Sequence, residues 1–288
     1  MPIHETLCNV SSDIKPYNKR SGITGNELVM DLLATHPAHE LSAASLCEAG
    51  ALVGLSGQSV RVTLTRLLRE GKITSPARGL YAWNPAGNSL YHDVENWIAK
   101  ERRSSPWQGG WIGVLDTAVA RRNKPVWRAH ERALRLRGFE RLFEGLSVRP
   151  NNLVGGVVVL RSDLNSLGLA AQTHVFEVGS FSDEDEQAAR ALWNRDVMIA
   201  QYAELVEQVT SCFQRLETLL PKEAAAESLL FGRGVIREIV RDPLLPEELV
   251  PGEQRLRLIN RMHEYQAKAI RIWFDVLGSH GVHSKEGR

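Results

Sequence analysis

Between the tight turn Gly54-Leu55-Ser56 and Gly71 the chain carries one strongly amphipathic helix, and no other segment restricts the fold as much. Ser56 supplies an N-cap and Gly71 a C-terminal stop. Val60, Leu64, Leu67 and Leu68 fall at i, i+4, i+7 and i+8, which predicts a buried stripe. Gln58, Ser59, Arg61, Val62, Thr65, Arg66 and Arg69 fall on the other side. Upstream, residues 26–34 carry Leu28, Val29, Leu32 and Leu33 on one face, with Pro37 as a stop, and Ser42 caps a second helix through Leu46, Cys47 and Gly50. A short helix, a glycine turn and a helix with Gln, Arg and Thr facing outward is the helix-turn-helix arrangement. The chemistry suits DNA: an Arg fork matches guanine or phosphate, Gln matches adenine, and a Val or Thr methyl can meet thymine's methyl.

Past Gly71, residues 72–75 and 79–83 alternate as two short strands around Pro76-Ala77-Arg78-Gly79, a wing with Arg78 at its tip. The expected base contacts are Gln58, Arg61, Val62, Thr65 and Arg66. Ser59, Arg69, Lys72 and Arg78 are the expected phosphate contacts.

Net charge argues the other way until it is divided. The 288 residues hold 35 Lys+Arg against 34 Asp+Glu, a net of +1. Yet residues 58–83 hold five basic side chains against Glu70 alone, and residues 121–149 hold nine against three acidic ones. Acidic segments elsewhere, beginning at 183–186, cancel these stretches, so a neutral total does not exclude a DNA-binding surface. With 43% hydrophobic and 24% charged residues the chain is too apolar for disorder. Its longest apolar run, residues 153–160, is interrupted by glycines and too short for a membrane span. The first residues, with His4, Glu5 and Asp13, lack a signal-peptide pattern. Cys8, Cys47 and Cys212 form neither a disulfide framework nor a zinc pattern, which predicts a reducing cytoplasm.

In the middle of the chain, strands are expected at 110–119, 144–148 and 173–178, with helices at 126–137 and 154–167. This β-α-β-α-β order suggests an α/β or split-βαβ unit. From Asp183 onward the pattern is helical: Ser182 is a cap, a stripe runs from Leu192 through Tyr202 to Phe213, and further helices cover 224–240 and 251–277.

The residues also resemble the PaaX-like repressors, regulators of phenylacetic acid degradation. The resemblance lies in Gly54-Leu55-Ser56 to Val60-Arg61, Leu64, Arg66-Leu67 and Glu70-Gly71; in Ala133-Leu134-Arg135 to Gly138-Phe139; and in Gly145-Leu146-Ser147-Val148-Arg149-Pro150. It continues through Leu192-Trp193, Tyr202, Arg237 and Asp242-Pro243-Leu244-Leu245-Pro246-Glu247-Glu248-Leu249, so it spans about residues 25 to 275. The chain departs from the family at Glu140, where Gly is usual, at Ser147, where Trp is common, and at Pro251-Gly252, which replaces a Trp-Pro-Gly segment.

The resemblance implies an α+β, helix-rich protein. A flexible tail at 1–22 would precede a winged helix-turn-helix DNA-binding domain at 23–103 and a ferredoxin-like (split βαβ) dimerisation domain at 104–181. A helical domain at 182–278 and a tail at 279–288 would follow. It implies a homodimeric cytoplasmic repressor of aromatic-compound catabolic genes on a near-palindromic operator. The implied release signal is an aryl-CoA thioester such as phenylacetyl-CoA. Arg128, Arg132 and Arg135, with Trp111 and Trp127, are the expected effector contacts, since Arg binds phosphates bidentately and Trp can stack on a ring.

The alternative is a metal-dependent nuclease. The ferredoxin-like module that the resemblance implies is related to small CRISPR-associated nucleases, which carry an Asp at the end of the first strand, and Asp116 stands there in this chain. Hydrolysis of that kind needs several converging carboxylates, and the neighbourhood is basic. No G-x-S-x-G, P-loop, H-E-x-x-H or paired C-x-x-C is present, Gly155-Gly156 lacks the dinucleotide spacing, and His92-Asp93 has no nucleophile in register. His36 and His39 near Cys47 read as polar loop residues because Pro37 breaks the helix that would align them. Neither enzymatic activity, a cofactor nor a metal is expected.

Overall fold

The computed structural model describes residues 22–87 and 97–277. Both expected tails but for Gly22, together with Cys8 and His92-Asp93, lie outside the described residues. Among those residues, nine α-helices and seven strands in two small antiparallel sheets make a mixed α+β fold.

The first unit runs α1 (Gly25–Thr35), β1 (Glu40–Ser42), α2 (Ala43–Leu52), α3 (Gly57–Arg69), β2 (Ile73–Ala77) and β3 (Leu80–Trp83). Each helix begins at a side-chain cap. Thr24 and Glu27 form a reciprocal capping box, Ser42 Oγ accepts from the Ser45 amide at 3.0 Å, and Ser56 Oγ accepts from the Ser59 amide at 3.1 Å. His36, which precedes Pro37, is extended and ends α1. The sheet order is β1-β3-β2. β1 was not expected; three residues are too few to show alternation, and only pairing to β3 makes them a strand. β2 runs on through Pro76, which an edge strand tolerates, and its register to β3 shifts between Thr74 and Ala77. The connecting turn is therefore shorter than expected, only Arg78-Gly79.

A second unit runs β4 (Trp111–Leu115), α4 (Lys124–Leu136), β5 (Glu140–Phe143), β6 (Leu146–Pro150), α5 (Gly156–Ser166) and β7 (His174–Val178). Its sheet order is β5-β6-β4-β7 with every neighbour antiparallel. The expected β-α-β-α-β order thus lacked one strand. β5 is an edge strand with Glu140, Arg141 and Phe143 exposed, so it carries no apolar alternation to read. Glu144 and Gly145, expected inside a strand, form the turn between β5 and β6. Gly145 has φ +79°, and a Cβ there would strike Thr117.

The remainder is helical: α6 (Asp183–Arg190), α7 (Arg195–Arg215), α8 (Pro221–Arg241) and α9 (Glu253–Leu277). Ser182 caps α6, its Oγ accepting from the Asp185 amide at 3.2 Å. The stripe expected from Leu192 is interrupted, because Trp193 turns into the core and Asn194 Oδ1 caps α7 by accepting from Val197. No helix of the described residues is long and apolar enough to cross a membrane.

Three apolar clusters hold these elements. The first gathers Leu28, Leu33, Leu46, Val60, Leu64 and Leu67, and extends to Leu229 of α8 and Trp273 of α9. The second packs Ile112 and Val114 of β4 against α4 and α5. Trp111, on the opposite face of β4, joins the third and largest cluster, among α7, α8 and α9.

The two segments that carry the most specific resemblance meet in space. Arg149, fully buried, donates to the carbonyls of Arg137, Pro150 and Pro243 and to Asn152 Oδ1. Asn152 Nδ2 donates to Leu244 O at 2.7 Å. Gly138, at φ +71°, lies against Pro243 so closely that a Cβ would sit 2.8 Å from its Cα. Burial pushes the Arg149 guanidinium down to about 9. These residues join the sheet unit to the end of α8, whose last carbonyls accept from Lys100 Nζ.

Candidate nucleic-acid interface

α3 is held rigidly from behind. Val60, Leu64 and Leu67 are at most 1% exposed, and α2 comes so close that a Cβ on Gly50 would meet Val60 at 2.7 Å. Thr63 packs against Gly25 at the start of α1 and donates its hydroxyl to Ser59 O. At about 100° per residue, Gln58, Val62, Thr65 and Arg69 form the outward line, with Arg61 on one side and Ser59 and Arg66 on the other. All seven are exposed. Val62 is 63% exposed, an apolar side chain at the middle of a polar face.

The charges on this face have few internal partners. The side chains of Arg61, Arg69 and Arg78 make no hydrogen bond or salt bridge among the described residues. Arg66 Nε lies 3.9 Å from Glu70, and Lys72 Nζ lies 2.8 Å from the same carboxylate. Lys72, with Arg66 and Arg69, holds the exposed Glu70 carboxyl below its ordinary value. Lys72 is half-buried, unlike the other members of the set. At the hairpin, Ser75 Oγ bonds to the carbonyls of Ala77 and Leu80 at 3.0 Å and leaves Arg78 exposed at the tip. The assembly presents unpaired guanidinium groups, an amide, hydroxyls and methyl groups on one convex helix beside a cationic turn.

The expected effector residues do not converge. Trp111 is fully buried, stacks on Trp193 at 6.1 Å, and donates its indole N–H to Glu186 Oε2 at 2.7 Å. Trp127 packs beside His130, with Arg121 over its ring at 5.2 Å. Arg132 and Arg135 are both exposed on α4 and line a cavity of about 490 Å³ shared with α1, α8 and α9; Arg128, one turn earlier, does not line it. Sequence reasoning missed the other half of that cavity. Arg233, Arg237 and Arg241 recur at i, i+4 and i+8 on α8, a spacing that could have signalled a cationic face. Arg233 pairs with Glu27 at 2.8 Å and Asp31 at 2.6 Å, and Arg237 pairs with Glu27 at 3.3 Å, so α8 is tied to α1.

Asp116 is 2% exposed and accepts from Arg141 Nη2 at 3.1 Å, with His130 Nε2 at 3.2 Å. Burial raises its carboxyl, but Arg141 and His130 outweigh that and hold it below its ordinary value. No group of three His, Cys, Asp or Glu that could hold a metal exists among the described residues. His36 and His39 bond to local backbone, and Cys47 Sγ to Gly57 O. Asp116 is a structural partner of Arg141 and His130 here, which does not favour a metal-dependent nuclease.

No family model matches the chain. Over 244 residues it is 25% identical to the transcriptional repressor PaaX of Escherichia coli strain K12, a span covering 80% of this chain and 75% of that one. Among solved structures, the uncharacterized protein Rv0674 from Mycobacterium tuberculosis aligns with 88% of this chain and 98% of its own, at a TM-score of 0.53 and 22% identity. At that identity the likeness concerns the fold.

Proposed function

Because this chain is PaaX-like, we propose that it is a transcriptional repressor that reads duplex DNA with α3 and the β2–β3 turn. The observation that carries this is the exposed outer face of α3, with Gln58, Arg61, Val62, Thr65 and Arg66 available to base edges. Ser59, Arg69, Lys72 and Arg78 flank it as phosphate contacts. In this reading residues 23–103 are a winged helix-turn-helix and 104–181 a ferredoxin-like dimerisation domain. Residues 182–278 are the helical body. The relative's role as a transcriptional repressor supports a regulator of transcription, and in this reading the protein is not an enzyme and acts in the cytoplasm.

A homodimer would set two α3 faces roughly 34 Å apart on a near-palindromic operator. An effector bound to the body would favour a geometry that no longer matches this spacing. Effective release requires a difference in affinity of roughly 10²–10⁴ between the two geometries. The resemblance points to an aryl-CoA thioester as that effector. The test is a gel shift on DNA upstream of the protein's own gene cluster, with and without candidate CoA thioesters. A specific shift, weakened by the correct thioester, is expected. No shift at moderate salt would remove the DNA-binding function, and Mg²⁺-dependent cutting abolished by Asp116→Ala would replace it with a nuclease.

A further inference from the structure

At about 100° per residue, Lys124, Arg128, Arg132 and Arg135 fall within roughly 80° of arc, a cationic stripe along three turns of α4. All four are exposed, and Arg121 and Arg122, also exposed, extend the line ahead of the helix. The opposite side, His130, Ala133 and Leu134, is buried. Lys124 and Arg128, then Arg128 and Arg132, are like charges at i and i+4, a spacing at which they repel. Little on the protein relieves that repulsion. The side chains of Arg122, Lys124, Arg128, Arg132 and Arg135 make no hydrogen bond or salt bridge among the described residues. The acidic side chains nearby are Glu131 at the edge of the stripe, Glu140, which feels the charge of Arg135, and Glu144, 86% exposed and 3.7 Å from Arg121. Lys124 and Arg128 stand on a convex helix surface outside the cavity that Arg132 and Arg135 border. A row of exposed, mutually repelling cations of this kind fits a linear polyanion. It runs roughly 16 Å at 1.5 Å per residue, against one phosphate charge per roughly 1.7 Å of duplex axis.

The position of the stripe favours duplex DNA. Arg132 and Leu136 border the same cavity as Thr35, Pro37 and Ala38, and Ala38 stands two residues before β1, which pairs with β3 of the hairpin. The C-terminal part of the stripe therefore adjoins the unit that holds α3. We propose that α4 is a second DNA contact, which grips the sugar-phosphate backbone beside the sequence that α3 reads. Lys124, Arg128 and Arg132 take phosphates, and Arg121 and Arg122 reach the next ones along the strand. This surface adds affinity without base selectivity, since phosphates are alike in every sequence. It rests on the DNA-binding function proposed above and extends it to a second unit of the fold.

The test is fluorescence anisotropy with the full chain and two labelled duplexes. One is the shortest upstream fragment that still binds specifically; the other is that fragment extended at each end by about 10 base pairs of unrelated sequence, one helical turn. Salt is varied between about 50 and 200 mM. The parent should bind the extended duplex about tenfold more tightly at the lowest salt, and with a steeper salt dependence. Lys124→Gln/Arg128→Gln should lose that gain. Its slope of log affinity against log salt on the extended duplex should fall by about 2 for each protomer on the DNA, since one phosphate contact accounts for about 0.9. On the short duplex the variant should match the parent within about twofold. Its melting temperature should not fall, because neither side chain has a partner among the described residues. Lys222→Gln/Arg257→Gln, which removes the same charge from α8 and α9, should keep both the gain and the slope. A parent that gains nothing from the flanks, or a stripe variant with the parent's slope, overturns the second contact and leaves α3 as the reading element. Equal losses on both duplexes, or the same effect from the α8 and α9 variant, overturn it likewise. A parent that binds no duplex overturns the DNA-binding function and the second contact together.

Discussion

Arg61 and Arg66 lie on either side of the outward line of α3, and neither has a strong internal partner: Arg61 has none among the described residues, and Arg66 has only Glu70 at 3.9 Å. Removing either should therefore cost little stability. Arg61→Ala and Arg66→Ala are each expected to reduce operator affinity by roughly 1–3 kcal/mol in a gel shift, with an unchanged melting temperature. Asp116 behaves in the opposite way. It is buried between His130 and Arg141, and Asp116→Ala leaves the buried His130 without its carboxylate partner. A stability loss of about 2–3 kcal/mol is expected by chemical denaturation, less than for a fully enclosed pair because Arg141 is 38% exposed. DNA binding at a temperature where the variant is folded should be retained.

Elements here owe their limits to single side chains. Ser56 Oγ satisfies the Ser59 amide at the first turn of α3. Ser56→Ala should cost about 1 kcal/mol of stability and fray the turn that carries Gln58 and Ser59. At the other end of the chain's specific signals, Gly138 holds a left-handed turn between α4 and β5 directly against Pro243. Gly138→Ala combines an unfavourable φ with a clash against backbone, so a loss of at least about 2 kcal/mol is expected in thermal unfolding. The segments around Gly138, Arg149 and Pro243 were legible as a family signature, yet nothing in their spacing says that they are one contact. β5 was illegible for a related reason: an exposed edge strand is defined by the neighbour it pairs with.

Across the whole molecule, the tie between α1 and α8 makes the attachment of the first unit sensitive to acid. Burial pushes the Glu27 carboxyl up, but the Thr24 amide, Arg233 and the Thr24 hydroxyl together hold it down to about 2. A carboxyl lowered in the folded state adds stability above its ordinary value near 4.5, and that stability fades as pH falls through 2. Glu27→Gln should thus destabilise the protein by roughly 1–2 kcal/mol at pH 7, with the gap to the parent closing between pH 4.5 and 2 in urea unfolding. The amino-acid sequence by itself determined the caps, the helix stripes and the exposed face of α3. Those depend on side chains three or four residues apart, which a helix brings together whatever surrounds it. Tertiary structure alone decided that Trp111 is core, that the second sheet is wholly antiparallel, and that Arg132 and Arg135 share a cavity with α1 and α8. Each of these joins residues far apart in the chain, as Arg233 and Asp31 are by 202 positions, and only the packed core sets such distances.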